Sequence, residues 1–305
     1  MPHLIVGHGL IGSLLARRLI ERGDDVRVAT RDGRAVPGAE SVAADAADAD
    51  AISRAAEGAD TIFVTTNPRY DQWPQLWPPI FAASIAAATA SGAGLVVMGN
   101  LYPYGVPDGP MTETSPERTT ETKGIVRRDG WRAVLAAHQR GDLRGVEVRA
   151  SDYFGPGAGR TAHLGGDFFR PLLASKAASI VGDPDAVHSW SYLPDIVGTL
   201  VAAAENRGEW GRVWHVPSGD PLSRTAIAGQ VDDRWGVHGT LRPYPSIVLK
   251  TVGLFNGEVR EIVASSYQFR EPFVIDASET ERMLGVSATP WAEALGTTVE
   301  SYRVP

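Results

Sequence analysis

A chain of 305 residues, 43% of them hydrophobic and 21% charged, has the balance of a folded globular protein and is long enough to bury a sizeable core. Its formal net charge of -7 offers no basic stripe to a nucleic-acid backbone, and the absence of cysteine removes disulfide frameworks, thiolate metal sites and a cysteine nucleophile. The opening apolar run Leu4-Ile5-Val6 is too short for a signal-peptide core and no stretch reaches the roughly 20 apolar residues of a membrane span, so a cytoplasmic protein that binds neither nucleic acid nor membrane is expected.

In chain order, residues 3–6 (HLIV) predict a short buried strand, 7–12 (GHGLIG) a glycine loop, and 10–20 a helix with apolar residues at helical spacing, closed by Gly23. Residues 26–30 predict a second strand, 41–44 a third, 48–57 an alanine-rich helix and 60–65 (DTIFVT) a fourth strand. A helix over 75–90, a fifth strand over 94–98 (GLVVM), a long helix over 122–138 and a sixth strand over 145–150 (GVEVRA) continue the alternation. Such alternation predicts a parallel sheet covered on both faces, a doubly wound α/β fold. After Tyr153 the rhythm breaks at Gly155-Pro156-Gly157. A helix over 194–204 and a strand over 212–216 return to it, and the last third mixes short elements. The sheet unit is therefore assigned to residues 1–157 with returns near 190–217, and a smaller substrate-binding lobe to 158–189 and 218–305.

The loop Gly7-His8-Gly9-Leu10-Ile11-Gly12 matches G-x-G-x-x-G between a strand and a helix. The first Gly permits the tight turn, the second lets backbone approach a pyrophosphate, and the third lets helix and strand pack closely. In this setting the pattern predicts a Rossmann-type dinucleotide site; a glycine turn without ligand is the bland alternative. Gly7, Gly9, Leu10, Ile11, Gly12 and, at the end of the fourth strand, Thr65 form the expected grip. At the end of the second strand an acid would bind the ribose 2′-hydroxyl of NAD, but the chain reads Ala29-Thr30-Arg31. A hydroxyl followed by a guanidinium suits a 2′-phosphate, so NADP is expected, with NAD possible through Asp32.

Together these features resemble the extended short-chain dehydrogenase/reductases, the NAD-dependent epimerase/dehydratase group, over nearly the whole chain. Asp45 and Asp48 look like its adenine-contacting acids, and residues 100–105 (NLYPYG) its hydroxyl-to-Tyr-Gly segment. Residues 152–157 (DYFGPG) are similar to its Asn-x-Tyr-Gly-Pro-Gly turn, and residues 190–196 (WSYLPDI) and 214–218 (WHVPS) to later blocks. The ending resembles the family too: Asp276-Ala-Ser, Met283-Leu284-Gly285, Thr289-Pro290-Trp291 and a final helix to Tyr302. The resemblance implies a tyrosine acid/base with a lysine four residues later and a serine or threonine holding the reacting carbonyl. Here Lys123 and Arg127 stand at the first two positions and Asn100 at the third, and none of the eight tyrosines has a lysine four residues on.

Lys123, one of only three lysines, is a candidate proton donor if burial and the charge of Arg127 depress its pKa; the alternatives are a ribose-binding ammonium and a solvated helix position. Tyr102 is the other candidate acid, against simple packing, and the Asn100 amide can stabilise a developing oxyanion. Tyr104 is expected to pack in the turn. The segment 67–73 (NPRYDQW) follows the fourth strand, so Tyr70 and Trp73 are expected to wall a substrate pocket, and Asp152 to face substrate or serve as a base. The seven histidines show no paired ligand spacing, so no metal is expected. No serine sits in a nucleophile elbow. The helices over 75–90 and 122–138 resemble those of the family's dimer interface, implying a homodimer. Two functions remain: an NADP-dependent oxidoreductase or epimerase acting on a small hydroxylated or carbonyl-bearing metabolite, and a non-catalytic NADP(H)-binding sensor or scaffold. Substrate specificity is expected from 158–189 and 222–268.

Overall fold

Each short apolar run places successive side chains on opposite faces, and the computed structural model shows both faces buried; it describes residues 1–159 and 162–303. The first half runs β1 (Pro2–Val6), α1 (Leu10–Glu21), β2 (Asp25–Thr30), β3 (Glu40–Ala43), α2 (Ala49–Ala55), β4 (Thr61–Val64), α3 (Trp73–Ser91), β5 (Gly94–Asn100), α4 (Thr122–Gln139) and β6 (Arg144–Ala150). There follow β7 (Asp152–Phe154), α5 (Gly166–Leu173), β8 (Ala177–Ile180), β9 (Trp190–Tyr192), α6 (Leu193–Glu205) and β10 (Val213–His215). The chain ends with α7 (Arg224–Trp235), β11 (Thr240–Pro243), α8 (Ser246–Gly253), α9 (Gly257–Ala264), α10 (Ser278–Leu284) and α11 (Trp291–Arg303).

Seven strands form one parallel sheet in the order β10-β6-β5-β4-β1-β2-β3, a doubly wound Rossmann-type fold. Leu4, Ile62, Leu95 and Val97 pack with α2, α3 and α4 through Ile52, Trp77, Phe81 and Trp131. Ile5, Val28, Phe63, Val96 and Val148 face the other way, onto Leu15 and Leu19 of α1 and Ile196 and Leu200 of α6. From β1 the chain winds outward to β2 and β3, then crosses back to β4. The loops leaving β1 and β4 therefore part, and the crevice between them opens at the strands' carboxyl ends.

A third core joins Phe154, Phe168, Leu172, Trp190, Ile227, Val231, Phe269 and Leu295, with the two-stranded parallel pairs β7–β9 and β8–β11 beside it. The segment assigned to 158–189 contains Arg160 and Thr161, which lie outside the described residues. Over this lobe lie α8 and α9. None of α9's residues is buried, Gly253 is the one buried residue of α8, and Leu254 and Phe255 between them are 75% and 89% exposed.

Element edges differ from expectation where local chemistry decides them. The third strand lies one residue earlier, Glu40–Ala43, because its register sets Glu40 against Arg27. The helix expected over 48–57 stops at Ala55, and Asp48 stays outside it as the cap, its Oδ1 accepting the Ala51 N–H at 2.9 Å. The helix expected from 75 starts at Trp73, with Pro74 in its first turn where no N–H is needed.

Candidate functional site

At the carboxyl end of β1 the three glycines have three separate reasons. Gly7 turns at φ +103°, and a Cβ there would lie 2.6 Å from the Thr66 backbone. At Gly12 a Cβ would collide with the Gly7 carbonyl and lie 2.6 Å from Thr65 Oγ1. Gly9 is different: a Cβ there meets nothing within 4 Å. Its freedom from side chain serves open space, not packing. Thr65 Oγ1 donates to the Gly7 carbonyl at 2.9 Å and holds the loop's curve. Gly9 caps α1 without a side-chain partner and no acid stands in the first turn, so the N–H groups around Leu10 and Ile11 face the crevice with an uncompensated positive dipole end. These features fit a dinucleotide pyrophosphate.

At the end of β2, Thr30 is half-buried, and Arg31 just past it is exposed. Asp32, the alternative ribose acid, is engaged by Arg34, with Nη2 to Oδ2 at 3.1 Å and Nε to Oδ1 at 3.2 Å, and this contact holds its carboxyl below the usual range. Burial and then the charge of Arg34 pull the pKa of His8, in the glycine loop, below the ordinary histidine value. Arg34 escaped the sequence reading, although it stands four residues past Thr30. Asp45 is exposed and its Oδ1 accepts the Ala47 N–H at 2.9 Å.

Past the ends of β4, β5 and β6 lies a cleft lined among others by Ile11, Thr65, Tyr70, Asn100, Tyr102 and Asp152. Trp73 also lines it, though only 2% exposed; its Nε1 donates to the Pro68 carbonyl at 3.0 Å. Asn100 Oδ1 accepts the Tyr102 N–H at 3.1 Å, which leaves its amide NH₂ as the donating end. The Tyr70 and Tyr102 hydroxyls are 3.4 Å apart, and burial pushes Tyr70 up to about 12 and Tyr102 well above the ordinary phenol value. Both phenols are therefore protonated O–H groups. Tyr104, as expected, packs in the turn: it is 2% exposed and bonded to His215 Nε2 at 2.7 Å.

Lys123 is fully buried on α4. Its Nζ donates to the Glu261 carbonyl at 2.6 Å and Ser265 Oγ at 3.1 Å, lies 3.1 Å from Glu121 Oε1, and sits over the Tyr70 and Tyr102 rings at 4.8 and 5.2 Å. Burial lowers its pKa, and Glu121 opposes the shift. Arg127 does not share in this, because its guanidinium turns toward the sheet. It donates to the Met98 carbonyl, lies 3.6 Å from the buried Glu147 and covers the Trp77 ring at 4.1 Å; burial brings it down to about 10. The two cations that stand in the Tyr-x-x-x-Lys register thus serve different neighbourhoods.

Asp152 opens β7, 18% exposed. Its Oδ2 lies 3.0 Å from His188 Nε2 and its Oδ1 4.0 Å from His163 Nε2. Burial pushes this carboxyl up, but the imidazole contact and the charges of His163 and Arg224 outweigh it and hold the pKa below the usual range. Sequence reasoning missed Glu121, Glu261, Ser265, Tyr267 and His188. His188, two residues before the Trp190 block, and Glu121, two residues before Lys123, stood beside a motif.

Among the described residues no group of three or more His, Asp or Glu is placed to hold a metal ion, and no helix is long and apolar enough to cross a membrane. No curated protein matches the chain. Solved structures do match it along its length. The dTDP-glucose 4,6-dehydratase of Streptomyces venezuelae, solved as a double mutant with NAD bound, is 21% identical, covers 100% of this chain and 97% of its own, and gives a TM-score of 0.79. The UDP-glucose 4-epimerase of Thermotoga maritima, solved with UDP-glucose, is 18% identical with 99% of each chain covered and a TM-score of 0.79. An epimerase of Methanothermobacter thermautotrophicus gives 0.80 at 18% identity, covering 99% of this chain and 92% of that one. The model of the NAD dependent epimerase/dehydratase family matches residues 3–216, more than two thirds of the sequence, and the chain belongs to that family.

Proposed function

We propose that the protein is an oxidoreductase or epimerase that binds NADP(H) in the glycine loop and acts on a small hydroxylated or carbonyl-bearing metabolite in the adjoining cleft. The observation that carries this reading is the meeting of two features at one crevice. The open face of Gly9 and the polar groups of Asn100, Tyr102 and Asp152 border the same carboxyl ends. When bound, the dinucleotide would supply hydride exchange. The chain's own groups would orient the substrate: the Asn100 amide and the Tyr102 and Tyr70 O–H groups donate toward a carbonyl oxygen. Tyr70 and Trp73 wall the pocket and limit water. The nucleotide sugars named for the structural relatives are the first compounds to test.

NADP is favoured over NAD by the exposed Arg31 and Arg34 and by the engagement of Asp32 with Arg34. A homodimer is proposed through α3 and α4, which pack side by side and present Ala82, Ala86 and Ala133 outward. A single-chain mass by light scattering at micromolar concentration would remove it.

One observation favours a second reading, a dinucleotide-binding protein without turnover: Lys123 Nζ is engaged by the Glu261 carbonyl, Ser265 and the Glu121 carboxylate, and both phenols are pushed up, away from neutral pH. The test is titration with NADPH and NADH followed by nicotinamide absorbance across a metabolite panel. Turnover supports the enzyme. Tight binding with no turnover supports the sensor, and no binding of either cofactor overturns both.

A further inference from the structure

His188 has no exposed surface and stands at the back of the cleft, 36 residues from Asp152 in sequence. The parallel pairing of β7 with β9 sets Asp152 opposite Trp190 and so brings the two side chains together. The imidazole is enclosed by Trp190, Phe269 and Phe273, with ring centroids at 4.4, 4.9 and 5.3 Å, and its backbone is bonded in both directions to Leu222. Water does not reach it. Its Nδ1 lies 3.2 Å from the Gln268 carbonyl, an oxygen that only accepts, so that nitrogen carries a proton. Its Nε2 lies 3.0 Å from Asp152 Oδ2 and 3.3 Å from Ser151 Oγ. Asp152 lines the cleft and His188 does not.

We propose that Asp152 and His188 form a proton-sharing pair that serves the cleft. Asp152 is the group that meets a substrate oxygen, and His188 is the positioning residue that loads and unloads it. The inference rests on the reading of the cleft as a substrate site. In the loaded form the imidazole carries protons on both nitrogens and the carboxyl is ionised. The step moves one proton and no electrons. The Nε2–H bond breaks as a proton passes to Asp152 Oδ2, the carboxyl turns about its Cβ–Cγ bond to bring that O–H from its buried side to the cleft, and the O–H bond breaks as the proton passes to a substrate oxyanion. The nitrogen keeps its electron pair, and Ser151 O–H then donates to it. The reverse sequence takes a proton from a substrate hydroxyl.

The surroundings suit this exchange. Asp152 is faced by His163 from the loop before α5, by Arg224 from α7, by Lys123 from α4 and by Tyr70, Tyr102 and Tyr267 from three short turns. Burial brings His163 down to about 4, so it is neutral near neutral pH, and burial pushes all three phenols up, so they are neutral too. Lys123 has its own carboxylate in Glu121. That leaves His188 as the histidine in contact with Asp152 whose two nitrogens both meet oxygen atoms.

The test uses the full chain labelled with ¹⁵N-histidine, comparing wild type with Asp152→Asn. The expected spectra differ at one histidine, whose Nε2 resonance moves in Asp152→Asn while its Nδ1 stays protonated against the Gln268 carbonyl. NADPH affinity should stay within about twofold, because the glycine loop is untouched. Where turnover exists, Asp152→Asn and His188→Gln should each lose at least about 100-fold in kcat with little change in KM, and the pH profile should lose one limb. His188→Gln acts on a residue enclosed by three rings; if it fails to fold, Asp152→Asn, which keeps shape and size, carries the comparison alone. Identical nitrogen spectra in the two proteins overturn the pair. A wild type that binds NADPH and turns over nothing overturns the enzymatic reading instead, while the spectra still decide the pair.

Discussion

Two glycines in one loop make opposite demands, and substituting each in turn separates packing from ligand approach. At Gly9, φ is -77° and ψ -166°, an ordinary extended conformation open to any residue, and nothing lies within 4 Å of a Cβ. Gly9→Val therefore costs the fold little: about 1 kcal/mol at most, the difference between a good and a poor residue at a helix N-cap. The added branch projects into the open space beside the α1 N-terminus, where the pyrophosphate must come within hydrogen-bond distance of backbone N–H groups. Losing that approach should weaken NADPH at least tenfold, about 1.4 kcal/mol. At Gly12 the added atom collides with the Gly7 carbonyl and crowds Thr65 Oγ1, so Gly12→Ala should destabilise the protein by about 1–3 kcal/mol, the usual cost of overpacking. Calorimetric titration and urea unfolding on the two variants give the comparison. If Gly9→Val binds NADPH and NADH as wild type does, the open face of Gly9 is not a cofactor surface and the proposed function falls with it. If Gly12→Ala proves as stable as wild type, the packing account of the loop is wrong.

The remaining expectations follow from other parts of the site. Replacing both Arg31 and Arg34 with Ala should narrow the preference for NADP(H) over NAD(H) by at least about tenfold, since each guanidinium can give charge-assisted hydrogen bonds to a 2′-phosphate and Asp32 is freed for a ribose hydroxyl; an unchanged affinity ratio would refute it. Lys123→Met leaves the Glu261 carbonyl, Ser265 and Glu121 without their cation, so stability should fall by about 3 kcal/mol and amide exchange should quicken across α9. If Lys123 is the proton donor, turnover also falls about 10²–10⁴-fold, whereas Tyr102→Phe shows that loss if the phenol is the donor. Burial pulls His215 down to about 3 from 6.5, so it is neutral in the fold and the unfolded chain binds the extra proton below 6.5. Its contribution to stability is present above that value and fades as pH falls, by about 2 kcal/mol at about pH 5; urea unfolding should show this loss in wild type and a smaller one in His215→Gln.

The sheet was legible because burial on both faces leaves a local mark. LIV at 4–6, IFV at 62–64 and LVV at 95–97 are apolar without interruption, and the structure buries all of them. The helix pair α8 and α9 left no such mark. Ile247, Leu254 and Phe255 are exposed, Val259, Ile262 and Val263 are only half-buried, and polar contacts such as Arg69 to Glu258 at 3.5 Å help tie the pair to the rest of the protein. The site was half legible for the same reason. Residues on one strand end or one turn, such as Asn100, Tyr102 and Asp152, could be read from their own segments. The partners that set the site's chemistry could not, because His188 arrives 36 residues after Asp152 and Glu261 138 residues after Lys123. The register Lys123 to Arg127 shows how far this goes. Spacing of four places both residues on one side of α4, and from sequence alone their like charges read as a single electrostatic unit. In the fold each meets its own carboxylate, Glu121 for the lysine and Glu147 for the arginine, and each has its own aromatic rings. The spacing was therefore correct and the inference of mutual repulsion was not, because a buried cation is governed by whatever fills the space around it. Proton handling at this crevice then depends on which buried pair opens to the cleft. The Lys123 ammonium is closed off by acceptors, and Arg127, which also lines the cleft, is tied to the sheet at the Met98 carbonyl, while Asp152 keeps one side toward the cleft and the other toward His188.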